Sequence, residues 1–150
     1  MIPIFRAKKL NSDEYVSGYL KFTKYNNRTE YVINYVYDSS SVFGECEIDQ
    51  TTLAIHFPDM IDSQGNKIFA SLSENGKGGD ILQYKDKYNC CNTSYLFNII
   101  YSKEYNALCV REIDEEKELD FFYELPTFIK EGLKIIGIQQ WNQMQYKKNF

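Results

Sequence analysis

The stretch from residue 14 to residue 37 leaves this chain little choice of fold class. Over 14–25 the residues alternate: Val16, Gly18, Leu20 and Phe22 on one side, Tyr15, Ser17, Tyr19 and Lys21 on the other. A period of two marks a half-buried strand, because successive side chains of a pleated strand point to opposite faces. Asn26-Asn27 supplies a turn. Thr29 to Tyr37 then alternates again, with Tyr31, Ile33, Tyr35 and Tyr37 opposing Val32, Asn34 and Val36. A β-hairpin is predicted over 14–37.

The rest of the chain reads in the same idiom. A short strand is expected over 2–10, closed by the turn Asn11-Ser12-Asp13. Asp38 to Ser41 has loop composition, 42–48 is a short strand, and 52–57 is a separate segment ended by Pro58. Asp62-Ser63-Gln64-Gly65-Asn66-Lys67 is a turn cluster in which Gly65 can take positive φ and Asp62 can cap. Strands follow near 67–71 and 80–86, separated by the glycine-rich Glu74 to Asp80, read as a flexible surface loop. Segments 95–101 and 107–113 form a second hairpin, and 133–138 is the last strand. The charged run 112–118 reads as a solvated loop. Residues 119–128 are ambiguous, interrupted by Pro126, with a helical turn near 127–131. The polar segment 139–150 frays or forms a short helix. With 150 residues, the expectation is one all-β domain of mainly antiparallel strands with at most short helical segments. A small SH3-like bent barrel is expected around 14–86.

Composition narrows the function. A net charge of −4 argues against sequence-independent coating of DNA, which needs a basic footprint. Cys46, Cys90, Cys91 and Cys109 are too irregularly spaced for a secreted disulfide scaffold and contain no C-x-x-C, so they read as reduced apolar side chains. No signal peptide and no apolar run near the roughly 20 residues of a membrane span is seen, and a cytoplasmic protein with no membrane partner is expected.

No constellation commits to catalysis, a metal or a cofactor. His56 stands alone beside Phe57, without the clustered ligands a metal needs. Pairing it with Cys46 or Cys109 as base and nucleophile has no flanking signature. Around Gly76-Lys77 the phosphate-loop pattern fails, because position 71 is serine and Gly78 stands where the hydroxyl belongs. Asp59, Asp62, Gln64 and Asn66 fail the calcium-loop spacing. Asp114 and Glu116 sit in the charged run and read as solvated. The one tentative binding face is Tyr15, Tyr19, Lys21, Lys24 and Arg28, where aromatic rings beside cations have the ingredients of a stacking platform for single-stranded nucleic acid. Cross-strand packing explains the same tyrosines.

Several short motifs, taken in order, resemble the YopX-type proteins of bacteriophages and prophages. Phe5-Arg6-Ala7 precedes Gly18-Tyr19-Leu20, and Glu47-Ile48-Asp49 leads to Thr52. Asp62 to Phe69 stands where that family has D-x-x-G-x-x-I-F/Y, and Gly79-Asp80-Ile81-Leu82 where it has G-D-I-V. Ile135-Ile136-Gly137 and Asn142 echo its closing V-I-G-N-I-x-x-N. Residues 70–78 lengthen the link between the two central motifs, and Ile138 replaces the first closing asparagine. The resemblance implies a mostly-β, phage-associated fold and brings no established activity, cofactor or catalytic residue. The expected function is therefore a non-enzymatic protein-interaction module of a phage or prophage. Its partner is expected to be a host or phage protein or a second copy of the chain, with nucleic-acid binding through residues 15–28 as the alternative.

Overall fold

The computed structural model describes residues 2–37, 42–85, 94–113 and 117–140, except for the side chains of 35–37, 42–43 and 117–120. The loop expected at 38–41, Cys90-Cys91, Asp114 and Glu116, and the tail 141–150 with Asn142 lie outside the described residues.

Strands β1 (Ile4–Lys9), β2 (Tyr15–Lys24), β3 (Thr29–Tyr37) and β4 (Val42–His56) pair antiparallel in succession. β4 then returns to β1, closing a four-stranded barrel. The predicted hairpin is present, with Leu20 opposite Ile33 and Phe22 opposite Tyr31. Ala7, Ile33 and Ile48 fill the barrel core, packed by Phe5, Val16, Leu20 and Leu53. The barrel thus occupies residues 4–56 rather than 14–86, because the first strand is the one that closes it.

β4 is one strand where the sequence pattern suggested two segments. The interruption at Asp49-Gln50-Thr51 is a bend, not an end. Arg6 faces Ala54 and Lys8 faces Asp49, so β4 bulges out of register between them. Thr52 Oγ1 repairs the ladder there, donating to Asp49 O at 2.6 Å and accepting Lys8 N–H at 2.9 Å. The bend is therefore written in polar side chains that break the apolar alternation.

Past the barrel, β5 (Ala70–Ser71) pairs antiparallel with β4 and makes one parallel bridge to the next sheet, Ser71 to Ile100. That sheet consists of β6 (Asp80–Lys85), β7 (Ser94–Ser102), β8 (Ala107–Glu112), β9 (Lys117–Phe121) and β10 (Leu133–Ile138), in the antiparallel order β10-β6-β7-β8-β9. Its core joins Ile68, Leu82, Phe97, Ile99, Val110 and Leu133 with Met60 and Phe122. Two features here depart from the sequence reading. Residues 117–121, inside the charged run and ambiguous segment, form β9. The region read as a strand at 67–71 keeps only two strand residues and a bridge from Ile61 to Lys67. A 3-10 turn at Phe122–Glu124 and a short helix α1 (Thr127–Lys130) after Pro126 connect β9 to β10.

Candidate functional site

The residues that carry the family resemblance turn out to hold the fold together. Arg6 of β1 and Asp80 at the start of β6 form a buried ion pair at 2.8 Å, Asp80 being 1% exposed. Arg6 also donates to Gly78 O at 2.8 Å, and its guanidinium lies 4.4 Å from the Phe69 ring centre. The other carboxylate oxygen of Asp80 accepts Phe69 N–H at 2.8 Å. Burial pushes the Asp80 carboxyl above its ordinary range, and attraction to Arg6 offsets only part of that.

Asp62 does a similar task at the turn. Its Oδ1 accepts the backbone N–H groups of Gln64 and Asn66, and its Oδ2 accepts Ile135 N–H of β10 at 3.2 Å. Burial raises its pKa, yet these backbone hydrogen bonds outweigh burial and hold the carboxyl below its ordinary range. A depressed carboxylate stabilises the fold above its unfolded pKa and loses that contribution as pH falls through the folded value. Asp62→Asn should therefore lower stability at neutral pH and flatten the loss of stability on acidification below about pH 4, measured by urea titration across pH. An unchanged acid limb would remove Asp62 from this role.

The glycine-rich segment differs from the flexible surface loop expected. Gly76, Gly78 and Gly79 are buried, and the three amides donate to Ser73 O, Gln139 O and Gly76 O. Ser71 Oγ donates to Lys77 O at 2.7 Å and closes the loop. Gln139, expected in a frayed tail, is fully buried, with its backbone bonded to Gly78 and Gly79 and its Oε1 accepting from Asn98 Nδ2 at 2.7 Å. With these amides engaged by protein carbonyls, the loop is a packed plug and offers no cradle to a phosphate.

His56 is buried, its Nδ1 2.9 Å from Ile68 O and its ring against Phe69. Cys46 lies on the barrel opposite Ile33, and Cys109 lies on β8 opposite Ile100 and Phe121, so each candidate for that pair has its own surroundings. Cys46 is a free thiol. Among the described residues no three His, Cys, Asp or Glu side chains gather to hold a metal ion, and no helix is long and apolar enough to cross a membrane.

The tentative face at residues 15–28 is dispersed. Tyr15, Tyr19 and Lys21 share one side of β2, whereas Lys24 follows Leu20 and Phe22 on the other and pairs with Thr29. Tyr15 is half-buried beside Arg6, and Tyr19 is exposed. Lys21 contacts Glu45 at 3.3 Å and Arg28 contacts Glu30 at 3.8 Å, so carboxylates stand beside both cations.

A different surface gathers aromatic side chains around open space. Where β7, β8 and β9 meet the 3-10 turn, Phe57, Tyr101, Tyr105, Phe121 and Tyr123 line a groove of about 590 Å³, with Leu108 also in its lining. Tyr105 and Tyr123 are 52% and 50% exposed. Tyr105 meets Phe121 edge to face at 5.8 Å, and the Tyr101 hydroxyl bonds Asn106 in the β7–β8 turn. Tyr123 also lines a second hollow of about 300 Å³, with Asp59, Lys130 and Glu131 around it. Its hydroxyl donates to Asp59 Oδ1 at 3.1 Å; burial, that bond and the Asp59 charge push its pKa up to about 12. Sequence reading missed this group because its members come from Phe57, the second hairpin and the ambiguous stretch. The available signal was Phe121-Phe122-Tyr123, three aromatics in a row that no single strand face can bury.

No family model, curated protein or solved structure matches the chain.

Proposed function

We propose that this chain is a non-enzymatic accessory protein of phage or prophage origin, akin to the YopX type, that holds an extended segment of another protein in the cytoplasm of a bacterial host. The observation that carries this reading is the aromatic groove, with its exposed Tyr105 and Tyr123. Tyrosine suits such contacts, since it buries a large ring with few rotatable bonds and is enriched in interface cores. The volume falls within the roughly 300–1,000 Å³ of built binding sites, and Tyr101, Leu108 and Phe121 stand on paired strands, which hold that part of the wall rigidly.

Pull-down from phage-carrying cells tests it, run with wild type and with Tyr105→Ala and Tyr123→Ala, each with and without nuclease. A protein recovered by wild type, resistant to nuclease and lost by both variants is expected, since an interface tyrosine of this kind is worth about 2 kcal/mol or more. Recovery that the variants leave unchanged removes the groove from the function. Recovery that disappears with nuclease replaces the reading with nucleic-acid binding.

A further inference from the structure

We infer that the groove's occupant is a proline-rich segment of a partner protein that carries an arginine or lysine beside its prolines; this rests on the reading of the groove as a docking site. Two observations favour that chemistry over other peptide shapes. The first concerns hydrogen-bonding edges. β7 is already paired with β8 on one side and with β6 and β5 on the other, and β8 lies between β7 and β9. A partner strand cannot extend the sheet at the groove through either of them, and β9, whose outer edge is unpaired among the described residues, contributes only its last residue, Phe121, to the described lining. A polyproline helix needs no such edge, because it makes no ladder and docks its rings between aromatic side chains with little entropy left to lose.

The second observation is charge. Glu124 lines the aromatic groove, and Asp59 and Glu131 line the adjoining hollow on the far side of Tyr123. The basic side chain there, Lys130, donates to Tyr123 O at 3.2 Å, and its ammonium lies 5.3 Å from the Phe122 ring centre. It is thereby directed onto the protein's own groups. A cation on the incoming peptide would meet carboxylates and the Tyr123 ring, both of which attract it. The apolar groove suits the prolines and the acidic hollow suits the cation, with Tyr123 between the two.

The test uses the full chain and fluorescence anisotropy. The probes are a labelled proline-rich decapeptide with one terminal arginine, the same peptide with glutamate for arginine, and the same peptide with alanine for every proline. The arginine peptide should bind, with the other two about tenfold or more weaker, and Tyr105→Ala should weaken it by a similar factor. Glu124→Gln with Glu131→Gln, both exposed side chains, should bring the arginine and glutamate peptides together. Equal binding of all three peptides, or binding unaffected by Tyr105→Ala, overturns the inference. An unbiased displayed decapeptide library run in parallel separates the two levels. Selected peptides that compete at Tyr105 and Tyr123 but lack proline and basic residues overturn the inferred partner chemistry and leave the docking site standing. A library from which nothing selected depends on those tyrosines overturns both.

Discussion

Asp80→Ala is expected to lower the stability of the fold by about 3–5 kcal/mol, the range for removing one partner of a buried ion pair. The reason lies in what is left behind. Arg6, with its side chain 12% exposed, would keep its charge among the Phe69 and Tyr15 rings with its carboxylate gone. Phe69 N–H would also lose its acceptor. Typical domains are stable by about 5–15 kcal/mol in total, so this variant should melt early or express poorly. Arg6→Ala should fall in the same range, because Asp80 is then buried without its cation. The double variant Arg6→Met/Asp80→Leu should be more stable than either single variant, because it leaves no buried charge without its partner. Phe69 N–H and Gly78 O still lose their partners, each at a cost of about 1–3 kcal/mol. Urea midpoints of the three variants decide the matter. If the double variant proves as unstable as Asp80→Ala, the pair is not what holds β1 to β6.

Gly78→Ala carries the second large effect. A Cβ at this position would lie 1.9 Å from the carbonyl oxygen of Thr52 and 2.4 Å from its carbonyl carbon, both backbone atoms of β4 that cannot swing away. The residue also sits at φ +83°. Left-handed backbone disfavours an L side chain by about 1–2 kcal/mol, and overpacking typically adds about 1–3 kcal/mol. Gly65→Ala is the control, since Gly65 shares the positive φ of 81° but has nothing within 4 Å of a built Cβ. That variant should show the backbone term alone, about 1–2 kcal/mol. Equal losses at the two positions would mean that the close approach to Thr52 contributes nothing.

How far the sequence foretold this molecule depends on whether a residue's task is local. Val16, Leu20 and Ile33 announce their strands by alternation alone, and they lie in or against the barrel core. Asp62 announces a turn by standing three residues before Gly65, and it caps that turn. Its bond to Ile135 spans 73 residues and leaves no local trace. Arg6 with Asp80, and Gln139 with Asn98, are partnerships of the same long-range kind, invisible until the sheet exists. β9 was hidden because Lys117 to Asp120 is charged, and a strand at a sheet margin need not be apolar. The aromatic groove was hidden for a third reason. Phe57, Tyr105 and Tyr123 come from three distant segments, and a tyrosine facing solvent is spelled like one in a core.

Gln139 has a consequence for the order of events during synthesis. The plug at 76–79 is closed by hydrogen bonds that run in both directions between it and this residue. β6, whose first residue anchors Arg6, pairs on one side with β10, which directly precedes Gln139. At about 5–20 residues per second on the ribosome, the barrel strands wait for more than eighty further residues, several seconds, before this last clasp can form. A nascent chain halted before residue 139 should hold its first hairpin while its loop glycines remain open to protease, and release of the halted chain should close them together.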